Sequence, residues 1–320
     1  MKARLLLQCF CYVQLLSIAL FAGDESGTIP AVYSQIKDIS HPTLDEYKLI
    51  QDYITNGPRE EIKRLKDFNY ENAARDFKII GPGPEERPKF EVSTVNCKMN
   101  EKDNCVLVYS SFNRNYPKGA DRLIKLIKKS DYKGHLLFRL GGWPDVESGS
   151  LVLAHVPYAF KVCFFKEARS LGYKRVLWLD AAMMPIVSIN EIFKMIEEKG
   201  YFIMGNSHMV GPYGNSGVAS SFGMSLEEMS HIPSCSSGIL GIDFANEKGT
   251  KIIDLWYQAA CHKDAFYSAR PDQTALSLIL HQMGIVDFYP LAGMAHGFGE
   301  IKEDSLFVLD RPFVHFTTLF

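Results

Sequence analysis

The run Val176, Leu177, Trp178, Leu179 stops on a carboxylate, Asp180. An unbroken apolar run of that length is the pattern of a strand covered on both faces, as in a parallel sheet flanked by helices. Ligands of open α/β sheets collect beyond the carboxyl ends of the strands, so an acid placed there faces a crevice. The plainer alternative is that Asp180 caps the turn that follows. Other reactive groups narrow the chemistry. No two cysteines have C-x-x-C spacing, and no zinc site is suggested. Cys97 and Cys105 flank a polar loop, and either a disulfide in an oxidising compartment or two free thiols fits their placement. His155, His208 and His296 sit on loops without a partner at ligand spacing and read as ordinary loop histidines. No G-x-G-x-x-G follows the first strand, which argues against the usual dinucleotide site.

The elements that position Asp180 alternate short apolar runs with amphipathic segments, the signature of βαβ units. Residues 105–112, CVLVYSSF, read as the first strand, Leu123, Ile124, Leu126 and Ile127 as a helical stripe, and residues 135–140, HLLFRL, as the next strand. Pro157 and Gly172 bracket a helix in the favoured order, one with few charged residues and hence largely buried. After Pro185, Ser188 and Glu191 have capping-box spacing ahead of a helix that stops at Gly200, and Ser225 with Glu228 repeats that spacing. Residues 201–205 read as a strand, residues 206–223 as a Gly- and Ser-rich loop of the kind that forms lids or binding loops. A strand over 239–244 begins directly after Ser236, Ser237 and Gly238. Helices follow around Trp256 and from Asp272 to Met283, then strands over 286–289, 306–309 and 313–317.

Composition bounds the rest. The chain has 320 residues, 47% of them hydrophobic, and a net charge of −2. That supports one large core or a core with an appendage and gives no electrostatic footprint for nucleic acid. Residues 1–22 pair a basic start with an apolar run, the layout of a secretory signal peptide cleaved near Ala22. An uncleaved anchor is the alternative, and a membrane enters only in that case. Either way the remainder faces a secreted, periplasmic or secretory-lumen compartment. Residues 23–104 read as a helical cap or stem with helices over 44–54 and 59–68, closed by the breaker-rich IIGPGPEERPKF. The α/β domain is then residues 105–320.

Three segments in order, VLWLDAAM, CSSGILGIDF and RPDQTALSLIL, with FVHFT near the end of the chain, resemble the nucleotide-sugar glycosyltransferases of GT-A fold. The similarity is to the family 8 type that includes glycogenin and bacterial galactosyltransferases. In that family a strand ends in L-D-A-D, a later strand begins with N-S-G-V, a helix opens with D-Q, and a histidine near the terminus supplies a ligand. The resemblance implies a GT-A-like mixed sheet flanked by helices, with the small helical appendage before it. It also implies transfer of a sugar from a nucleotide-diphosphate donor to a glycan, protein or lipid acceptor. Asp180 and His315 then match the ligands of a divalent ion, Mn2+ or Mg2+, which neutralises the departing diphosphate. Asp272 and Gln273 match the pair beside the reacting sugar carbon, although Asp272 also suits a helix cap. Ser236, Ser237 and Gly238 match the sugar-contacting segment, with Ser236 in place of asparagine. Ala182 stands where the family has its second aspartate, which removes one carboxylate. Lys161, on the preceding helix, would then bring a positive charge to the phosphates, or merely extend to solvent from a helix edge. Two other functions share these residues: a secreted glycan- or nucleotide-sugar-binding protein without turnover, and a nucleotide-sugar hydrolase.

Overall fold

The computed structural model describes residues 89–110, 116–141, 144, 153, 156, 158–262, 264–296 and 300–309. The signal or anchor segment, both stem helices, His155, His315 and the strand expected over 313–317 lie outside them. Six strands form one mixed sheet, in the order β1 (Lys89–Val95), β3 (Gly134–Leu140), β2 (Asn104–Ser110), β4 (Arg175–Leu179), β7 (Pro233–Asp243), β6 (Tyr201–Met209). β2 runs parallel to both β3 and β4, whereas β1, β7 and β6 pair antiparallel. A second, three-stranded sheet joins β5 (Met183–Pro185), β9 (Phe307–Leu309) and β8 (Met294–Ala295).

The apolar runs become central strands because both faces of the large sheet are covered. In β4, Val176 and Trp178 join a core built on the helices α2 (Phe160–Ser170), α6 (Glu247–Cys261) and α7 (Pro271–Gln282). Leu177 and Leu179 point the other way, into a core with α1 (Tyr116–Lys129) and α3 (Ile189–Lys199). The period of two thus serves two cores at once. Helix α2 buries Lys161, Val162, Cys163, Phe164, Phe165, Glu167 and Ala168, as its scarcity of charge leads one to expect. It begins at Phe160, three residues after Pro157, and Gly172 beyond its end has φ +88°.

Several expectations are corrected. The sheet does not begin at Cys105: Lys89–Val95 pairs along its whole length with β3, so the α/β domain takes in part of the segment read as stem and linker. Residues 206–223 are not one open loop. They continue β6 to Met209, make a 3-10 turn at Gly211–Tyr213 and form the short helix α4 (Ser216–Ser221), capped by the Asn215 side chain on the Val218 N–H at 3.0 Å. The helix α5 (Leu226–Ser230) opens with the expected capping box between Ser225 and Glu228. Ser188 occupies the N-cap of α3 without capping it; its hydroxyl donates to Asp131 Oδ2 at 2.8 Å, while Glu191 pairs with Lys194. Ser236, Ser237 and Gly238 lie inside β7 rather than ahead of it. Over 286–289 there is a single bridge, Met204 to Tyr289, and no strand. Cys97 and Cys105 are free thiols. No helix among the described residues is long and apolar enough to cross a membrane.

Candidate functional site

The carboxyl end of β4 is where four separate segments meet. Asp180 continues the ladder, its N–H donating to the Gly238 carbonyl at 2.9 Å, so antiparallel β7 sets Ser237 and Gly238 beside it. The indole of Trp178, two residues back on the same face, donates to Asp180 Oδ1 at 2.7 Å. Space at Gly238 is tight: a Cβ there would stand 2.8 Å from Met183 Cε and 3.1 Å from Asp180 Oδ2, so a side chain would require the Met183 tip and the carboxylate to shift.

Lys161 reaches this point from the first turn of α2, and Asp272 from the first turn of α7. The Lys161 ammonium lies 3.2 Å from Asp180 Oδ1, 2.8 Å from Asp272 Oδ2 and 3.1 Å from the Ser237 carbonyl oxygen. The approach to Asp272 Oδ2 falls outside hydrogen-bond geometry, so that pairing is one of charge. Lys161 is therefore not a solvent-reaching lysine on a helix edge; its side chain is 5% exposed. Burial by itself would lower its pKa, but the charges of Asp180 and Asp272 more than reverse this and raise it above the ordinary lysine value. One ammonium against two carboxylates leaves the cluster with an excess negative charge. Asp272 is 7% exposed and Asp180 37%, so the excess opens to solvent at Asp180.

Of the remaining residues named from the sequence, Ser236, Ser237 and Gln273 adjoin this cluster. Ser236 and Ser237 are buried, the Ser236 hydroxyl accepts from the Gly238 N–H at 3.3 Å, and Ser237 offers Lys161 its backbone oxygen rather than its hydroxyl. Gln273 donates its side-chain amide to Ser234 Oγ at 2.8 Å, and Ser277 ties the Gln273 carbonyl to the Cys235 N–H. Burial pushes the adjacent Cys235 thiol up to about 12, which makes it an inert core group. His208 packs edge-on against Tyr213, with ring centroids 5.7 Å apart, and His296 is exposed. Two contributors escaped the sequence reading. Trp178 was counted as core, although its spacing of two from Asp180 puts both on one face of a strand. Tyr158 gave no sequence signal; its ring centroid lies 5.8 Å from the Lys161 ammonium.

Of the two residues expected to hold a divalent cation, Asp180 is the one within the described residues. Ala182 is buried in the apolar cluster with Leu179, Ala181 and Met183, and no group of three or more histidine, cysteine or acidic side chains suited to a metal occurs among the described residues. Asp180 Oδ1 already accepts from Trp178, and the Lys161 ammonium is within 3.5 Å of Oδ2. A cation held here would need donors from outside this set, such as a ligand's phosphate oxygens.

The chain matches no protein-family model and no curated protein. Among solved structures it is similar to the apo form of mouse xyloside xylosyltransferase 1, at 11% identity and a TM-score of 0.32, over 61% of this chain and 72% of that one. A likeness of that size leaves the chemistry to be argued from the side chains.

Proposed function

We propose that the chain is a glycosyltransferase that binds a nucleotide-activated sugar over the carboxyl ends of β2 and β4 and passes the sugar to a glycan, protein or lipid acceptor. The observation that carries this reading is the convergence of Asp180, Ser237 and Asp272, from three separate segments, within 3.2 Å of the Lys161 ammonium. Asp180, Ser237 and Asp272 belong to the segments whose order in the sequence resembles family 8 transferases; Lys161 comes from the helix before them. Lys161 holds both acids in place through its charge. Asp272, pinned and nearly closed to water, is an orienting and charge-stabilising group beside the sugar carbon; the half-open Asp180 faces the diphosphate. A divalent ion would supply neutralisation of the departing diphosphate, held by Asp180 and, on the resemblance, by His315. The excess negative charge of the cluster favours such a cation.

The test is titration of UDP, GDP and their sugar conjugates against the wild type and Asp180→Asn, each in manganese and in chelator. Wild-type binding that manganese strengthens, and that Asp180→Asn weakens about tenfold or more, supports the reading, since a ligand carboxylate and its charge are both removed. Equal binding by the two proteins sinks the role of Asp180. Sugar released to water without an acceptor would instead identify a hydrolase. The reading as a binding protein without turnover, which draws on Ala182 in place of the second aspartate, predicts either no nucleotide binding or binding without sugar transfer or release.

A further inference from the structure

Ahead of α2 the Ala159 N–H donates to the Val156 carbonyl at 3.2 Å. Tyr158, just before Ala159, has φ +60°. A position with positive φ ordinarily takes glycine or asparagine, because a Cβ meets the flanking backbone there. The other described non-glycine residue with positive φ is Asn96, a type that tolerates the conformation. A bulky aromatic held in this region is an outlier that directs attention to what its ring does.

That ring stands at the edge of the charged cluster. It is partly exposed, its centroid is 5.8 Å from the Lys161 ammonium, and it lies 5.9 Å from the Phe160 ring. Phe160 in turn stacks on Tyr109 of β2 at 4.3 Å and sits 6.2 Å from Trp178, whose indole holds Asp180. The aromatic ladder is thereby fixed to the sheet, and Tyr158 is its member beside Lys161.

We propose that Tyr158 is a specificity-determining residue, an aromatic wall that packs on the pyranose ring of the donor sugar. The inference rests on the glycosyltransferase reading and adds to it the residue that recognises the sugar. The sugar is favoured over the nucleobase by position. Tyr158 borders the ammonium that touches both Asp180 and Asp272, the two acids between which that reading places the bond to be broken. An aromatic face is apolar and weakly negative, which suits the C–H face of a pyranose, and the phenol adds a polar tip. Glycine would satisfy the backbone but leave no wall.

The experiment compares wild type, Tyr158→Gly and Tyr158→Phe. Calorimetric titrations use UDP beside UDP-glucose, UDP-galactose and UDP-N-acetylglucosamine, and GDP beside GDP-mannose; melting temperatures are read in parallel. The expected result is that wild type binds one sugar nucleotide more tightly than its bare nucleotide. Tyr158→Gly melts no lower than wild type, since the strain is relieved. It binds the bare nucleotide unchanged and loses roughly tenfold in affinity for the sugar nucleotide, the scale of one aromatic contact. Tyr158→Phe keeps that affinity. Equal losses for nucleotide and sugar nucleotide would assign the ring to the nucleotide and overturn the proposal. So would a lower melting temperature with unchanged affinities, which marks a packing residue. Wild type that binds none of these ligands overturns the glycosyltransferase reading itself, and the wall with it.

Discussion

Helix α2 carries two buried charges, six residues apart, with opposite surroundings. Glu167 forms an ion pair with Arg139 of β3, the two side chains 5% and 1% exposed. The Arg139 guanidinium also lies over the Phe90 ring at 4.2 Å and the Phe164 ring at 5.6 Å. Among the described residues this pair is one cation against one carboxylate, covered by aromatic faces and nearly closed to water. Lys161, at the other end of the helix, faces two carboxylates, one of them 37% exposed. Burial of charge alone does not mark a site: Arg139–Glu167 is the more buried and clamps β3, α2 and β1 together. What distinguishes the Lys161 cluster is the uncompensated carboxylate opening to water at the carboxyl edge of the sheet.

The largest effect is expected from breaking the sealed pair. Glu167→Ala leaves the Arg139 charge buried without its partner and should lower unfolding free energy by about 3–5 kcal/mol, whereas the double variant Arg139→Met, Glu167→Leu should recover most of that. Urea denaturation checks both, and a double variant as unstable as the single one would show that the pair is more than a balanced charge. Nucleotide binding by the double variant should match wild type.

Lys161→Met should cost less stability, roughly 2–3 kcal/mol, because Asp180 can be rehydrated and only Asp272 remains buried without a counter-charge. This cost has a pH signature. The folded-state pKa of Lys161 is raised above the ordinary 10.5, so its contribution is complete below that value and is lost as pH rises through the folded pKa. The stability difference between wild type and Lys161→Met should stay level across neutral pH and shrink only above about pH 10.5. A difference that already falls at neutral pH would mean that the two carboxylates do not hold the lysine as described.

The smallest effects separate two serines with the same local spacing. Ser225→Ala removes a formed capping box and should cost about 1 kcal/mol. Ser188→Ala removes only an exposed hydroxyl contact to Asp131 and should stay within about 0.5 kcal/mol. Thermal melts of the two variants give the comparison directly.

Much of the framework was legible in the sequence because it is periodic or punctuated. Unbroken apolar runs marked β2 and β4, sparse charge marked α2 as buried, Gly200 ended α3 with φ +84°, and the order of Asp180, the Ser236–Gly238 segment and Asp272 pointed to one edge of one sheet. Where the reading failed, the signal was too short or was shared with another outcome. Lys89–Val95 is an edge strand with a single neighbour; its alternation, weak and next to Pro88, looked like linker. The 6-residue helix Ser216–Ser221 spans too few turns for a period to show and stands on its Asn215 cap and tertiary packing, whereas the 5-residue helix after it was legible from its capping box. Ser188 and Ser225 carry identical box spacing, and only the presence of Asp131 beside Ser188 diverts one of them.

The sequence by itself determined that an acid ends a covered strand, that a lysine lies on a buried helix, and that a second acid opens a later helix, because each follows from local pattern. Only the tertiary structure decided that these three charges share one point, since α2 and α7 pack on the same face of the sheet and β7 runs antiparallel against β4. It also decided that Lys161 is held by two acids and a backbone carbonyl, and that Ala182 belongs to the core of the opposite face. Charge balance and burial are properties of neighbours brought together across the chain, and no local spacing encodes them.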